Sequence, residues 1–509
     1  MIYHLQPDQS PFFYVLLALS PILMVLYLMV GRNWGGSKAG PVGWLTAVFI
    51  SLIFFGTNGE LLLVAIGKSL LLALFVLYLI WMALLFYHTV NEAGIIAAIG
   101  QEMPRMAHDK PAQALLLAWI FGAFLQGATG FGVPAAVVAP LLVGLGFEAS
   151  IAVVVALIGH AWAVTFGSLG SSYLSLMAAT GVSGAELATP TATLLGVAAL
   201  GCGTAVLWLT GGKSALRQRG LFMLLIGLFM GGVQWAVAVA GLWTLAAFGA
   251  GLAGLIVAIA YFSWESRGES LFNGRKLATA FIPYMILVVI ILLGQLVFKA
   301  PLNQLQLTVA FPAVTTGDGW ETAAANGRRI SIFGHAGALL LYTSFITFAW
   351  YKWKGTTHYS GQTIVRKTLK GSIKPTIGIV TLVAMALTMQ HAGMTQLLAE
   401  TLSKTAVLFP FLAPFIGALG AFMTGSNTNS NVVFGGLQAE TAVALGLSLT
   451  WILAAQTAGG AIGSAFAPAK VIVGCSTVEG AEDGKVLKLT AVYGLAIIAV
   501  VGLIVWLIV

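Results

Sequence analysis

The chain has 509 residues, 59% of them hydrophobic and 8% charged, with a mean hydropathy of +0.97. Ordinary soluble domains carry about 25% charged residues, so this composition excludes a water-soluble globule and points to a protein solvated by lipid. The formal net charge of +8 is no nucleic-acid signature, because the basic residues gather in a few loops and no folded face presents them.

Apolar runs of about 20 residues, long enough to cross a bilayer as helix, recur along the whole length. In chain order the predicted spans are 12–31, 41–57, 60–87, 189–211, 220–241, 244–262, 278–298, 330–350, 373–390 and 489–509. The first is expected to be retained, since "MIYHLQPDQS" lacks the basic region of a signal peptide and no small-residue cleavage site follows. In 91–103, Ile95, Ile96, Ile99 and Met103 stand at helical spacing, which predicts an interfacial helix. Two regions, 111–181 and 405–475, hold long apolar runs broken by Gly, Pro and polar residues. No soluble domain is visible. Cys202 and Cys475 lie far apart in apolar surroundings, without disulfide or metal spacing.

Loop charge sets the orientation. Lys352, Lys354, Arg366, Lys367, Lys370 and Lys374 occupy one loop without an acid. Lys213, Arg217 and Arg219 mark a second, and Arg32 and Lys38 a third. All three are expected in the cytoplasm, with Glu60, Glu186 and both termini outside. Parity then requires 111–181 and 405–475 each to cross an odd number of times. One economical solution is a re-entrant hairpin at 111–147 with an interrupted span at 149–181, and a hairpin at 405–447 with an interrupted span at 449–475. The hairpins enter from opposite sides, which is the mark of an inverted repeat. "GAFLQGATGFGVP" and "GAFMTGSNTNSNV" agree with this, as do "GLGFEAS" with "ALGLSLT" and "FGSLGSS" with "IGSAFAP". The expected fold is an all-α polytopic membrane protein of about 12 spans plus two re-entrant hairpins arranged as an inverted repeat.

Non-helical backbone at membrane depth survives only where protein buries it or a polar cavity meets it. Transporters use such breaks as binding sites. The tip "GSNTNSN" carries Ser426, Asn427, Thr428, Asn429, Ser430 and Asn431, whose hydroxyls and amides donate to carboxylates or accept from cations. Capping of helix ends explains part of that run. The tip "QGATGFGVP" supplies Gln126, Thr129, Gly130, Phe131 and Gly132. Its glycines let backbone approach a ligand, and Phe131 either lines the pocket or packs against lipid.

Ionisable residues inside a membrane are functional suspects. His160 can relay a proton or simply bond a carbonyl, and Lys470 either snorkels or neutralises a bound anion. Lys68 is expected to snorkel and His391 to be hydrated near the outer surface. Gln456, Thr457, Ser168, Ser171, Ser172 and Ser464 are weaker candidates from the two breaks.

At "GATGFGVPAAVVAPLLVGLGF" and "GAFMTGSNTNSNVVFGGLQ" the chain resembles the L-lactate permease family, secondary transporters of lactate and glycolate. The resemblance covers essentially the whole chain. It implies proton-coupled uptake of L-lactate, D-lactate or glycolate across the cell inner membrane, without cofactor or metal, and it is compatible with a homodimer. Because the two hairpins and the two interrupted spans bury polar backbone together, 111–181 and 405–475 are expected to move as a transport unit, while 1–110 and 189–390 form the scaffold and 489–509 is the last span. Ser426, Asn427 and Thr428 are similar to a Ser-Asn-Thr signature that binds sodium and carboxylate in related dicarboxylate transporters. Many members of the family carry acids where Gln126 and Asn427 stand here, and commonly a polar neutral residue where Lys470 stands. That makes the site friendlier to anions and removes the obvious proton carriers. Two rivals stay open, a sodium-coupled organic anion transporter and a passive anion channel. An enzyme is not indicated, since no HExxH, GxSxG or acidic metal cluster occurs.

Overall fold

The computed structural model describes residues 11–32, 34–102, 106–107, 109–130, 132–265, 274–355, 360–404 and 406–509. Within them, nine helices are long and apolar enough to cross a membrane, or eleven if each of two bent pairs counts as one span. The predicted spans 189–211 and 220–241 fall in one continuous element, Gly184–Val239, which turns at Gly212 (φ 57°, ψ −142°). Gly196 faces Gly231 across that turn, so the two halves run side by side.

The two broken regions take the shape that their Gly and polar content predicts. Helix Lys110–Ala128 is followed after Gly130 and Gly132, both at positive φ, by Val133–Gly144. Phe409–Thr424 is followed across Gly425, again at positive φ, by Asn427–Ala444. Each pair precedes a bent one: Ala149–Ala163 with Gly167–Thr180, bent by 54°, and Leu449–Phe466 with Pro468–Cys475, bent by 41°. Small residues let these helices cross almost backbone to backbone. Gly417 lies on the Gln456 carbonyl, Gly459 on Pro414 and Gly463 on Ala418, while Gly159 lies on Ala118. The resulting core is large, with Trp119, Phe121, Phe124, Trp162, Phe166 and Tyr173 fully buried.

Three expectations are corrected. The segment 303–335 is no part of a span. It carries strand pairs Gln306–Leu307 with Ile330–Ser331, Ala310–Phe311 with Ala325–Asn326, and Val314–Thr315 with Glu321–Thr322, all antiparallel. The helix predicted from 330 therefore begins at Ala336 and runs to Trp353. The hairpin is held along helix Gly59–Glu92: Gly317 N donates to Gly56 O (2.6 Å), Asn58 Nδ2 to Thr315 O (3.3 Å), and Phe311 packs on Gly67. His391 is buried rather than hydrated, and Lys68 bonds to its Nε2 (3.2 Å) instead of snorkelling. The His391 Nδ1 reaches the Leu387 carbonyl (2.8 Å), which leaves Nε2 free to accept from the ammonium. The predicted helix in 91–103 is present as Ile95–Glu102 with Ile95, Ile96 and Ile99 buried, and Met103 lies outside the described residues.

Ion pairing has a simple geography. Arg219 joins Asp109 and Glu265 (the latter at 2.7 Å), Lys276 joins Glu102 (3.2 Å), Lys367 joins Glu92, and Lys485 joins Glu148 (3.1 Å). Every one of these residues belongs to a segment that the loop-charge reading puts on a single face. Partly exposed pairs are each worth about 0–1 kcal/mol, so they register the loops more than they stabilise them.

Candidate functional site

The second tip starts with a helix cap. Ser426 is in extended conformation and its Oγ accepts from Asn429 N (3.4 Å), the N-cap arrangement. Thr424 Oγ1 donates to Gly420 O (2.8 Å) and approaches Ser426 O (3.0 Å), closing the turn around Gly425. Ser426 is thus occupied by the turn, and Asn429 is half-buried with its backbone held by that cap.

Asn427 and Asn431, one helical turn apart, point instead into the protein and are 2% and 0% exposed. Asn427 Nδ2 meets Thr165 Oγ1 (3.1 Å), the Thr457 carbonyl (3.1 Å) and Thr457 Oγ1 (3.3 Å). Asn431 Nδ2 donates to the Ser172 carbonyl (2.9 Å) and to Thr457 Oγ1 (2.8 Å). Thr165 Oγ1 in turn donates to Thr457 O (3.0 Å), and Thr428 Oγ1 lies 3.1 Å from Ser172 Oγ. Residues from both bent pairs and the second tip therefore converge on Thr457. A second layer extends the web: Ser430 Oγ donates to Gly417 O (2.7 Å) and accepts from Gln456 Nε2 (3.0 Å), and Gln438 Nε2 donates to Gln456 Oε1 (3.1 Å).

The web contains no charge and is not closed. Asn427 Oδ1, Asn431 Oδ1 and Gln438 Oε1 are buried without a hydrogen-bond partner. Asn427 Oδ1 rests against Gly460, a place where a Cβ has no room. A buried acceptor left unpaired costs about 1–3 kcal/mol, a cost that a donor or cation reaching it would offset.

The first tip has a different character. Thr129 Oγ1 donates back to Leu125 O (2.7 Å), a local helix bond. Gln126 is buried beside Gly130 and Gly167, with its Oε1 unpartnered. Gly130 presses on Ser168, and Ser168 and Leu169 are themselves at positive φ (47° and 55°), a strained conformation for non-glycine residues. Phe131 lies outside the described residues. His160 caps helix Ala149–Gly159, with Nδ1 on Ala156 O (2.6 Å) and a buried Nε2 without partner.

Lys470 stands at the second break. Its Nζ donates to Ser464 Oγ (2.8 Å), and Ser464 is fully buried. Both tips close on this helix: a Cβ placed on Gly425 would stand 3.5 Å from Ala469 Cβ, and one on Gly132 would stand 3.8 Å from Val473.

Of the residues predicted from sequence, the structure brings Asn427, Thr428, Ser430 and Asn431 together with Thr457, Gln456 and Ser172, and gathers Lys470 with Ser464 near both tips. It leaves Ser426, Asn429 and Thr129 in turn-forming roles. The sequence reading passes over Thr165, Gln438 and Glu440. Glu440 sits on the second tip's outgoing helix and accepts from Gln390 Nε2 (3.4 Å), next to a small cavity lined by Leu72, Val383, Gln390, Val432 and Gly436. As an acid in an otherwise apolar arm it was visible as a suspect. Thr165 was not, since one threonine beside a break has no distinguishing pattern.

Comparison with known proteins meets this geometry from outside. The sequence profile of the L-lactate permease family matches residues 14–509. The chain is 25% identical to an L-lactate permease of Bacillus subtilis over 97% of its length and 95% of the relative's. It is 25% identical to a glycolate permease of Escherichia coli, over 96% and 94%, and 27% identical to an L-lactate permease of Streptococcus iniae, over 88% and 94%. Matched from end to end by that profile, and built of many membrane-length helices around two hairpin-like breaks, the chain belongs to the L-lactate permease family of membrane transport proteins.

Proposed function

We propose that this protein is a secondary active transporter that imports small 2-hydroxymonocarboxylates (L-lactate, D-lactate or glycolate) by proton symport with alternating access. The observation that carries the reading is the uncharged buried web on Thr457, into which Asn427, Asn431, Thr165 and Ser172 converge from three separate elements. Such a web suits a small polar solute held at the junction of moving parts. At the second break, where it bonds Ser464, Lys470 supplies the positive charge that a carboxylate needs. The relatives named for lactate and glycolate support the substrate class.

The inverted repeat and the division into transport unit and scaffold belong to the same proposal. Support comes from the matched order of hairpin and bent pair in each half, and from Gly159 and Gly459 each lying on the backbone of the preceding arm. The loop charges support N- and C-termini outside and the basic loops inside an inner membrane.

The test is uptake by purified protein in liposomes, with proton and sodium gradients imposed separately. Accumulation of labelled lactate or glycolate driven by the proton gradient alone is expected. A second reading, sodium coupling, is favoured by the unpartnered oxygens of Asn427 and Asn431, which suit a cation. It predicts accumulation only with the sodium gradient. Unitary conductance in planar bilayers would replace both with a channel.

A further inference from the structure

Lys470 is the cation at the second break, on the helix that both tips approach, and its surroundings define what it can do. Among the described residues its ammonium has Ser464 Oγ as hydrogen-bond partner, and no carboxylate lies within 4 Å of it. Ser464 is already committed as a donor to Ala461 O (2.8 Å), so it faces the lysine as an acceptor. Both hairpin tips rest on the helix that carries Lys470, at Ala469 and Val473.

The elements packed against Pro468–Cys475 are Leu449–Phe466, Val133–Gly144, Ala149–Gly159 and Asp483–Ile508. Leu449–Phe466, Val133–Gly144 and Ala149–Gly159 contain no ionisable side chain. His160, directly after Ala149–Gly159, lies within electrostatic reach of Lys470 and keeps its buried Nε2 unpartnered. On the fourth element, Asp483 interacts with Cys475 at the far end of the Lys470 helix. Lys485 is turned to Glu148, Lys488 is exposed, and Tyr493 lines a separate groove with Trp208. Among the described residues no acid is placed to compensate the Lys470 charge.

Lys470 is half-buried; an uncompensated ammonium partly withdrawn from water is costly, and a lysine escapes that cost in one of two ways: it acquires an anion or it loses its proton. We infer that Lys470 is both the counter-ion of the transported carboxylate and the proton carrier of the symport. This rests on the transporter reading above. Facing outside, neutral Lys470 takes a proton from water, and the carboxylate pairs with the resulting ammonium. The neutral pair crosses as a unit. Inside, the anion leaves, the ammonium releases its proton to cytoplasmic water, and the uncharged amine returns. Each cycle moves one anion and one proton, so no net charge crosses. Proton coupling then needs no acid at Gln126 or Asn427, because a base performs it.

Arginine separates the two roles, since it stays charged and cannot act as the proton carrier. Lys470→Arg in liposomes should still exchange internal for external labelled lactate, because the loaded form crosses. It should lose proton-driven accumulation by tenfold or more, because the empty form cannot return. Lys470→Gln should lose both, while folding is checked by thermal unfolding. Glu440→Gln, which removes the acid of the second hairpin where it meets Gln390 of helix Gly361–His391, should accumulate as the unaltered protein does. Accumulation by Lys470→Arg at the unaltered rate would overturn the inference, as would loss of proton-driven accumulation in Glu440→Gln alone. If the unaltered protein neither exchanges nor accumulates lactate or glycolate, it is the transporter reading itself that fails.

Discussion

Asn427 gives its amide hydrogens to Thr165 and Thr457 and keeps an unpartnered oxygen against Gly460. Replacing it by alanine removes these bonds, each worth about 0.5–1.5 kcal/mol net, while Thr165 Oγ1 still donates to the Thr457 carbonyl. If substrate or its ion uses the free oxygen, the same change should weaken apparent affinity roughly 5- to 150-fold. Substrate-induced thermal stabilisation measures this directly. Asn427→Asp is the sharper probe: it turns the donor into a second acceptor beside the Thr457 carbonyl. Binding by that variant should require either acid pH or a bound cation, seen as a pH or sodium dependence of lactate-induced stabilisation. Ser430 makes a useful contrast. Its hydroxyl links Gly417 to Gln456 within the protein, so Ser430→Ala should lower the melting temperature and leave affinity nearly intact.

At the scale of elements, the second half depends on a close crossing between Phe409–Thr424 and Leu449–Phe466. Gly459 meets the backbone of Pro414 there, and backbone cannot yield as a flexible side chain can. Gly459→Val should therefore cost about 1–3 kcal/mol or more by forced separation of the helices. It should also displace Thr457 and lower both melting temperature and transport. The division into moving and fixed parts makes a different prediction. In a background lacking Cys202 and Cys475, cysteines at Gly132 and Val473 join two parts of the proposed transport unit, and oxidation should preserve uptake. Cysteines at Gly436 and Val383 both line the small cavity between the second hairpin and helix Gly361–His391, where a reducible bifunctional crosslinker can join them. Crosslinking of that pair should stop uptake until reductant is added, and full activity in the crosslinked form would dissolve the proposed boundary.

For the molecule as a whole, the ion pairs tie together segments near Glu92, Glu102, Asp109, Glu148, Arg219, Glu265, Lys276, Lys367 and Lys485. The proposed orientation puts that face in the cytoplasm. Cysteines at Lys213 and Lys367 should resist impermeant reagent in intact cells, while those at Glu186 and Asp318 should react. Reaction at Lys367 would invert the assignment. The membrane class, the family and the location of both breaks were legible in the sequence. The membrane class and the breaks depend on local composition, on apolar length and on the Gly and Asn residues that interrupt helix, whereas the family shows in the resemblance carried by the two motif stretches that contain Gly130 and Gly425. The strand pairs of 303–335 were not legible, because they are short, polar and lack sustained alternation, and their support comes from Gly56 and Gly67 far away in the chain. The bond between Lys68 and His391 was hidden for the same reason, with 323 residues between its partners. Tertiary structure alone decided which polar residues share a site. Thr165 meets Asn427 across 262 residues, and the tips at Gly132 and Gly425 close on the helix of Lys470. Hydropathy marks a residue as polar within apolar surroundings, but its partner is chosen by how the helices cross, and that choice is a property of the packed whole.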